Sequence, residues 1–233
     1  MRLFLAIRAG DNGVARDRIQ VSPAFPIPLV LRMPARSSPG WLPLACAGAA
    51  LMLMVVTAAA GTLWWPGLSH TGHPLALPGA DGVPRAAAYN ALVFVLPGGL
   101  ACLLACWRYN ALPGTAGWGA RIGARLLLLA GIAWAAQGIF ALDLRELDGR
   151  NGQLHAAAWM CWWLAAASGL VLLAMQERRG RWADAVTAVL LVLLALLPYW
   201  PWPAGLSQRL AALVWFGGWL GWPVREWRGS GLR

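Results

Sequence analysis

Residues 41–65 read WLPLACAGAALMLMVVTAAAGTLWW. The stretch holds 25 residues and no charge. About 20 apolar residues suffice for a helix to cross the hydrocarbon core of a bilayer. Within lipid each segment must satisfy its own backbone hydrogen bonds, so a helix is the required form. The pattern recurs at about 86–107, 122–142, 155–175, 183–200 and 206–224. These runs predict an all-α, polytopic transmembrane helix bundle of about six spans, occupying 41–224.

Composition agrees. Hydrophobic residues make up 59% of the 233 and charged residues only 12%, against roughly 25% charge in soluble domains. So few charges would not cover so much apolar surface in water. Tryptophan placement supports the limits, because an indole favours the membrane interface. Trp41, Trp64, Trp65, Trp107, Trp182, Trp200, Trp202 and Trp222 fall at expected span ends. Trp134, Trp162, Trp163, Trp215 and Trp219 fall inside spans and read as bulky packing or lipid-facing residues.

The net charge is +10, and all 19 basic residues are arginine. They are scattered through short connecting segments, which points to membrane orientation and away from nucleic acid. If the N-terminal segment, the 2–3 and 4–5 loops and the C-terminal segment share one side, that side holds 15 arginines. The other side holds Arg85, Arg145, Arg150 and Arg209. The positive-inside rule puts the arginine-rich side in the cytoplasm. The expected topology is therefore N-in and C-in. Abundant Ala, Arg, Gly, Pro and Trp fit a GC-rich bacterial genome, which makes the expected location a bacterial inner (plasma) membrane.

Residues 1–40 carry six arginines and Pro23, Pro26, Pro28 and Pro34, and read as a disordered cytoplasmic tail. Met33 opens Met-Pro-Ala-Arg-Ser-Ser-Pro-Gly just before the first span, which resembles a natural translation start. Residues 225–233 read as a short basic cytoplasmic tail.

Few ionisable residues lie deep in the expected spans, and intramembrane charges are the usual mark of ion-coupled pathways. Cys46, Cys102, Cys106 and Cys161 all lie in apolar runs without metal-knuckle spacing, and read as small packing residues. Pro97-Gly98-Gly99 predicts a kink in the second span, since proline lacks a backbone donor. Gly131 and Gly138 in the third span, and Gly217 and Gly221 in the sixth, mark where helices touch. The last pair offers a route to a helix-mediated oligomer.

Polar residues gather toward the expected outer face. Asn90, Gln137, Asp143 and His155 form a candidate outer-face polar cluster, either a knot capping two helix ends or a pocket. Asp143 and His155 are expected to pair across the 3–4 hairpin. His70 and His73, with His155 and Asp143, would supply a zinc-like donor set, but the His70-x-x-His73 spacing is no recognised metal signature. No cofactor is expected. Nothing resembles a nucleophile elbow, a P-loop or a dinucleotide fingerprint.

Asn90-Ala-Leu-Val-Phe94, Pro97-Gly98-Gly99-Leu100, Gly138-Ile-Phe140-Ala-Leu-Asp143 and Gly152-Gln-Leu-His155-Ala156 together resemble the bacterial and archaeal six-span membrane family called domain of unknown function 998. The resemblance covers roughly 41–224. Ala141 departs from it, standing where proline is expected. It implies the six-span fold and directs attention to Asp143 and His155, and it implies no reaction. The expected role is thus an integral inner-membrane protein without a catalytic signature, its ligand unspecified. Its alternatives are a metal-dependent hydrolase acting on lipid at the outer face, and a small transporter or membrane sensor. N-terminal sequencing of the native protein should find Met33 or Pro34 first; Met1 or Arg2 there would defeat the internal-start reading.

Overall fold

The computed structural model describes residues 41–146, 148–176, 180–196 and 203–230, with the backbone alone for 225–230. The expected tail 1–40 and the Met33 start lie outside them. Helix α1 (Trp41–Ala59) tightens into a 3-10 turn at Ala60–Leu63. A connection with one further 3-10 turn, Leu77–Gly79, leads to α2 (Ala86–Asn90). A π-helical turn (Ala91–Val95) joins α2 directly to α3 (Leu96–Ala111). Then follow α4 (Trp118–Ile139), α5 (Arg150–Gln176), α6 (Arg181–Leu196) and α7 (Ala204–Ser230). No strand occurs among the described residues.

Four helical segments are long and apolar enough to cross a membrane: Trp41–Leu63, Ala86–Ala111, Trp118–Ile139 and Arg150–Gln176. They coincide with the first four expected spans. The fourth starts earlier than expected, which leaves His155 more than a turn inside its helix. Helix α6 has 16 described residues, short of the roughly 20 a span needs.

The helices pack in a ring. Helix α1 lies against α3, α3 against α4, α4 against α5, α5 against α6 and α6 against α7, which returns to α1. Glycines permit the closest approaches. Gly98 of α3 meets the backbone of Gly131 and Ala135 in α4, and Gly123 of α4 meets the carbonyl of Gly169 in α5. Gly138 lies against Phe94 and the Asn90 carbonyl. Small residues are what let helix backbones approach so closely where lipid supplies no hydrophobic driving force.

The centre is aromatic. Trp134 is fully buried, with the rings of Phe94, Trp162 and Phe216 at 5.4, 4.7 and 5.3 Å between centroids. Trp162, Trp215 and Trp219 continue the chain along α5 and α7. The internal tryptophans are therefore core packing. Trp222, expected at an interface, joins this core at 6% exposure. By contrast Trp41, Trp118 and Trp182 stand exposed at helix starts.

Where a kink was expected at Pro97, the structure has a π turn just before the proline. Proline has no N–H to offer the carbonyl of Val93, four residues earlier. The indole N–H of Trp134 donates to that oxygen at 3.0 Å. In lipid a proline is tolerated when a neighbouring helix meets the freed carbonyl in this way. Trp134→Phe should cost about 1–3 kcal/mol, the scale of stranding a buried acceptor. In a Pro97→Ala background residue 97 can serve Val93 itself, so the same change should cost less. Unfolding titrations in detergent micelles measure both; equal losses in the two backgrounds would break the link.

Candidate functional site

One end of the ring is closed by residues 64–85, which connect α1 to α2. This segment is a folded cap. Its bonds reach α2, α7 and the residues just beyond α4. Tyr89, fully buried, donates its hydroxyl to the Leu75 carbonyl at 2.8 Å. Asn90 donates its amide to the Gly79 carbonyl at 2.8 Å. A side chain at Gly79 would collide with that carboxamide, so the cap sits there only with glycine. The Leu75 N–H reaches Gln208 of α7 at 2.8 Å, and the Leu206 N–H reaches Thr71 at 3.0 Å. Asp81 N–H donates to the Leu142 carbonyl beyond α4. The cap ends at Arg85, a non-glycine residue with φ of 62° whose carbonyl accepts the Trp64 indole N–H at 3.1 Å. Such backbone costs on the order of 1–3 kcal/mol and persists only where its surroundings enforce it.

Four polar residues were expected to cluster. The structure places each at this end and gives them separate tasks. Asn90 holds the cap. His155 points its Nδ1 at the carbonyls of Gln137 and Phe140, both at 3.0 Å. Carbonyls only accept, so Nδ1 carries the proton. Those carbonyls belong to the last turn of α4, which has no intrahelical donors left. His155 thus caps α4 from α5. Asp143 is not its partner: its carboxylate accepts the Arg145 N–H at 2.8 Å in a local turn. The sequence reading named the right helix end and the wrong mate, because backbone carbonyls leave no mark in the side-chain pattern. Gln137 is 1% exposed, and its Nε2 has no partner.

His70 and His73 lie in the cap. His73 Nδ1 accepts the Ser69 N–H at 3.0 Å. Among the described residues no three of His, Cys, Asp or Glu gather closely enough to hold a metal ion. The set His70, His73, Asp143 and His155 is not assembled into a chelate. The four cysteines are free thiols, and Cys102 lies in the α3–α4 contact.

Two charged sites were not foreseen. Arg108, counted as a loop charge, is 2% exposed and pairs with Asp184, 4% exposed. A second contact runs from Nη1 to Oδ1 at 3.5 Å. The pair crosses the ring from α3 to α6, at the end opposite the cap. Asp184 lies in the first turn of α6, where the helix dipole favours an anion.

The second site is Arg209 of α7. Its Nη1 donates to the carbonyls of His73 and Gly205 at 2.8 and 2.9 Å. Its Nε and Nη2 are buried without a hydrogen-bond partner. It lines a cleft of about 240 Å³ between α1 and α7, below the cap.

These features define a polytopic helical membrane protein. The chain belongs to the family described as protein of unknown function (DUF998), whose pattern matches residues 32–224. No curated protein and no solved structure matches it.

Arg108→Ala and Asp184→Ala should each destabilise by about 3–5 kcal/mol, since each strands a buried charge. The double variant should lose much less than the sum. Asp143→Ala and His155→Ala should instead add, having separate partners. Thermal unfolding in detergent of the four single and two double variants reads both cycles; a strong coupling between 143 and 155 would contradict the geometry.

Proposed function

We propose that the chain is a six-span, multi-pass protein of the bacterial plasma membrane with both termini in the cytoplasm, acting as a binding or sensing bundle without covalent chemistry. The observation that carries this reading is what its polar groups do. Tyr89, Asn90, Trp134, His155 and the Arg108–Asp184 pair each join one element to another. Among the described residues no hydroxyl or thiol stands in a hydrogen bond to a histidine side chain, the arrangement an activated nucleophile needs. A buried ion pair adds little stability over apolar packing. Its use to tie α3 to α6 supports a bundle whose closed arrangement is held at a discrete point.

Six spans are supported by the ring, which α6 and α7 complete. The arginine distribution supports the orientation, with the cap outside and Arg108 inside. Gly217 has open space where its Cβ would stand, which supports a second copy of α7 packing at Gly217 and Gly221.

Single cysteines at Arg150→Cys and Arg181→Cys, in a background lacking the native four, test the topology. An impermeant thiol reagent on spheroplasts should label position 150 and spare 181. For the role, purified protein incubated with phospholipid and zinc should release no fatty acid or headgroup. Chelator-sensitive hydrolysis abolished by His155→Ala would replace the binding reading with the hydrolase.

A further inference from the structure

The cleft between α1 and α7 joins apolar walls to a cation that the cap uses only in part. Met54, Ala58 and Ala59 of α1 and Leu213 of α7 form apolar walls. His70 of the cap and Arg209 stand at its polar end. The surface around it is apolar too: Met52 and Val56 are 59% and 55% exposed, and Leu213 is 40% exposed. The cleft therefore opens toward hydrocarbon. Arg209 lies five residues into α7, about 8 Å along the helix axis, a depth suited to a lipid headgroup.

Among the described residues no carboxylate pairs with this charge. Of the five donors on the guanidinium, those of Nη1 reach two carbonyls, and Nε and Nη2 reach none. No carboxylate lines the cleft. Among the described residues the titratable groups near Arg209 are the phenol of Tyr89, already committed to the Leu75 carbonyl, and the imidazole of His70 in the cleft lining; neither is a carboxylate. A cation beside hydrocarbon without a counter-ion is costly, and such residues usually meet an anion or water. Guanidinium suits phosphate in particular, because its planar fork takes two oxygens at once.

We propose that this cleft binds one phospholipid of net negative headgroup, its phosphate on Arg209 beside His70 and an acyl chain along the α1–α7 groove. Apolar walls favour an amphiphile over a free anion. The absence of a lining carboxylate leaves nothing to receive the ammonium of a zwitterionic headgroup.

Purified full-length protein in detergent, titrated with phosphatidylglycerol, phosphatidylcholine or inorganic phosphate and followed by thermal shift and native mass spectrometry, tests the proposal. Phosphatidylglycerol should stabilise the protein and remain bound as a single adduct. Phosphatidylcholine should bind at least roughly tenfold more weakly, a difference of about 1.4 kcal/mol, and inorganic phosphate should give no shift. Arg209→Gln should abolish the preference for phosphatidylglycerol. Because Arg209 also holds the His73 carbonyl, Leu213→Trp provides a variant that keeps the guanidinium and fills the groove; it should lose the adduct while unfolding at the unliganded temperature of the parent. Equal binding of the two lipids, protection by phosphate alone, or an unchanged adduct in Leu213→Trp would each overturn the proposal.

Discussion

Hydrocarbon offers no water to accept or donate a hydrogen bond, and every buried polar group in this chain has to be read against that constraint. An amide or carbonyl left unmet in such surroundings costs several kcal/mol. The ring of helices removes most of the problem by pairing each backbone with itself. What remains are the places where a helix ends or its ladder is interrupted. Those places attract the polar side chains. Trp134 serves the carbonyl that Pro97 leaves open, and His155 serves the end of α4. Asn90 and Tyr89 serve the cap.

The same constraint explains why much of the fold was legible in the sequence. An uninterrupted apolar run of span length has few other uses, so four spans appear where 41–65, 86–107, 122–142 and 155–175 predicted them. Gly131 and Gly138 were readable as contact points and do sit against Cys102, Gly98 and Phe94. Pro97 led to the expectation of a kink, and the π turn upstream of it leaves no mark in the residue pattern. Boundaries were less legible. Helix α5 begins at Arg150 because polar residues can extend a helix beyond the hydrocarbon without altering the hydropathy that located it.

The site was legible in parts only. Asn90, Gln137 and His155 were identifiable as polar residues at one end of neighbouring spans, and they do lie there. Their partners were not, since three of the bonds end on backbone carbonyls, which every residue possesses. Residues 64–85 look like an ordinary Pro- and Gly-rich connection, and their folding depends on Tyr89 just beyond them and on Gln208 and Arg209, far away in sequence. Arg108 misled for a related reason. An arginine in the last turn of a helix, as Arg108 is, normally reaches water along its own stem. Here the start of α6 brings Asp184 to it, and the charge turns inward.

Arg108 and Arg209 therefore illustrate opposite answers to one problem. Both are cations placed near the ends of spans. The first has a carboxylate supplied by the protein, and the pair ties two helices that otherwise pack against different neighbours. The second has carbonyls for one nitrogen and nothing for two others. That asymmetry couples the cleft to the cap, because the nitrogen that is satisfied is the one holding His73. An anion drawn to Nε and Nη2 would act on the same rigid plane that positions the His73 carbonyl. Since the five donors of a guanidinium are fixed in one plane, the group that lines the cleft and the group that holds the His73 carbonyl of the cap are one and the same.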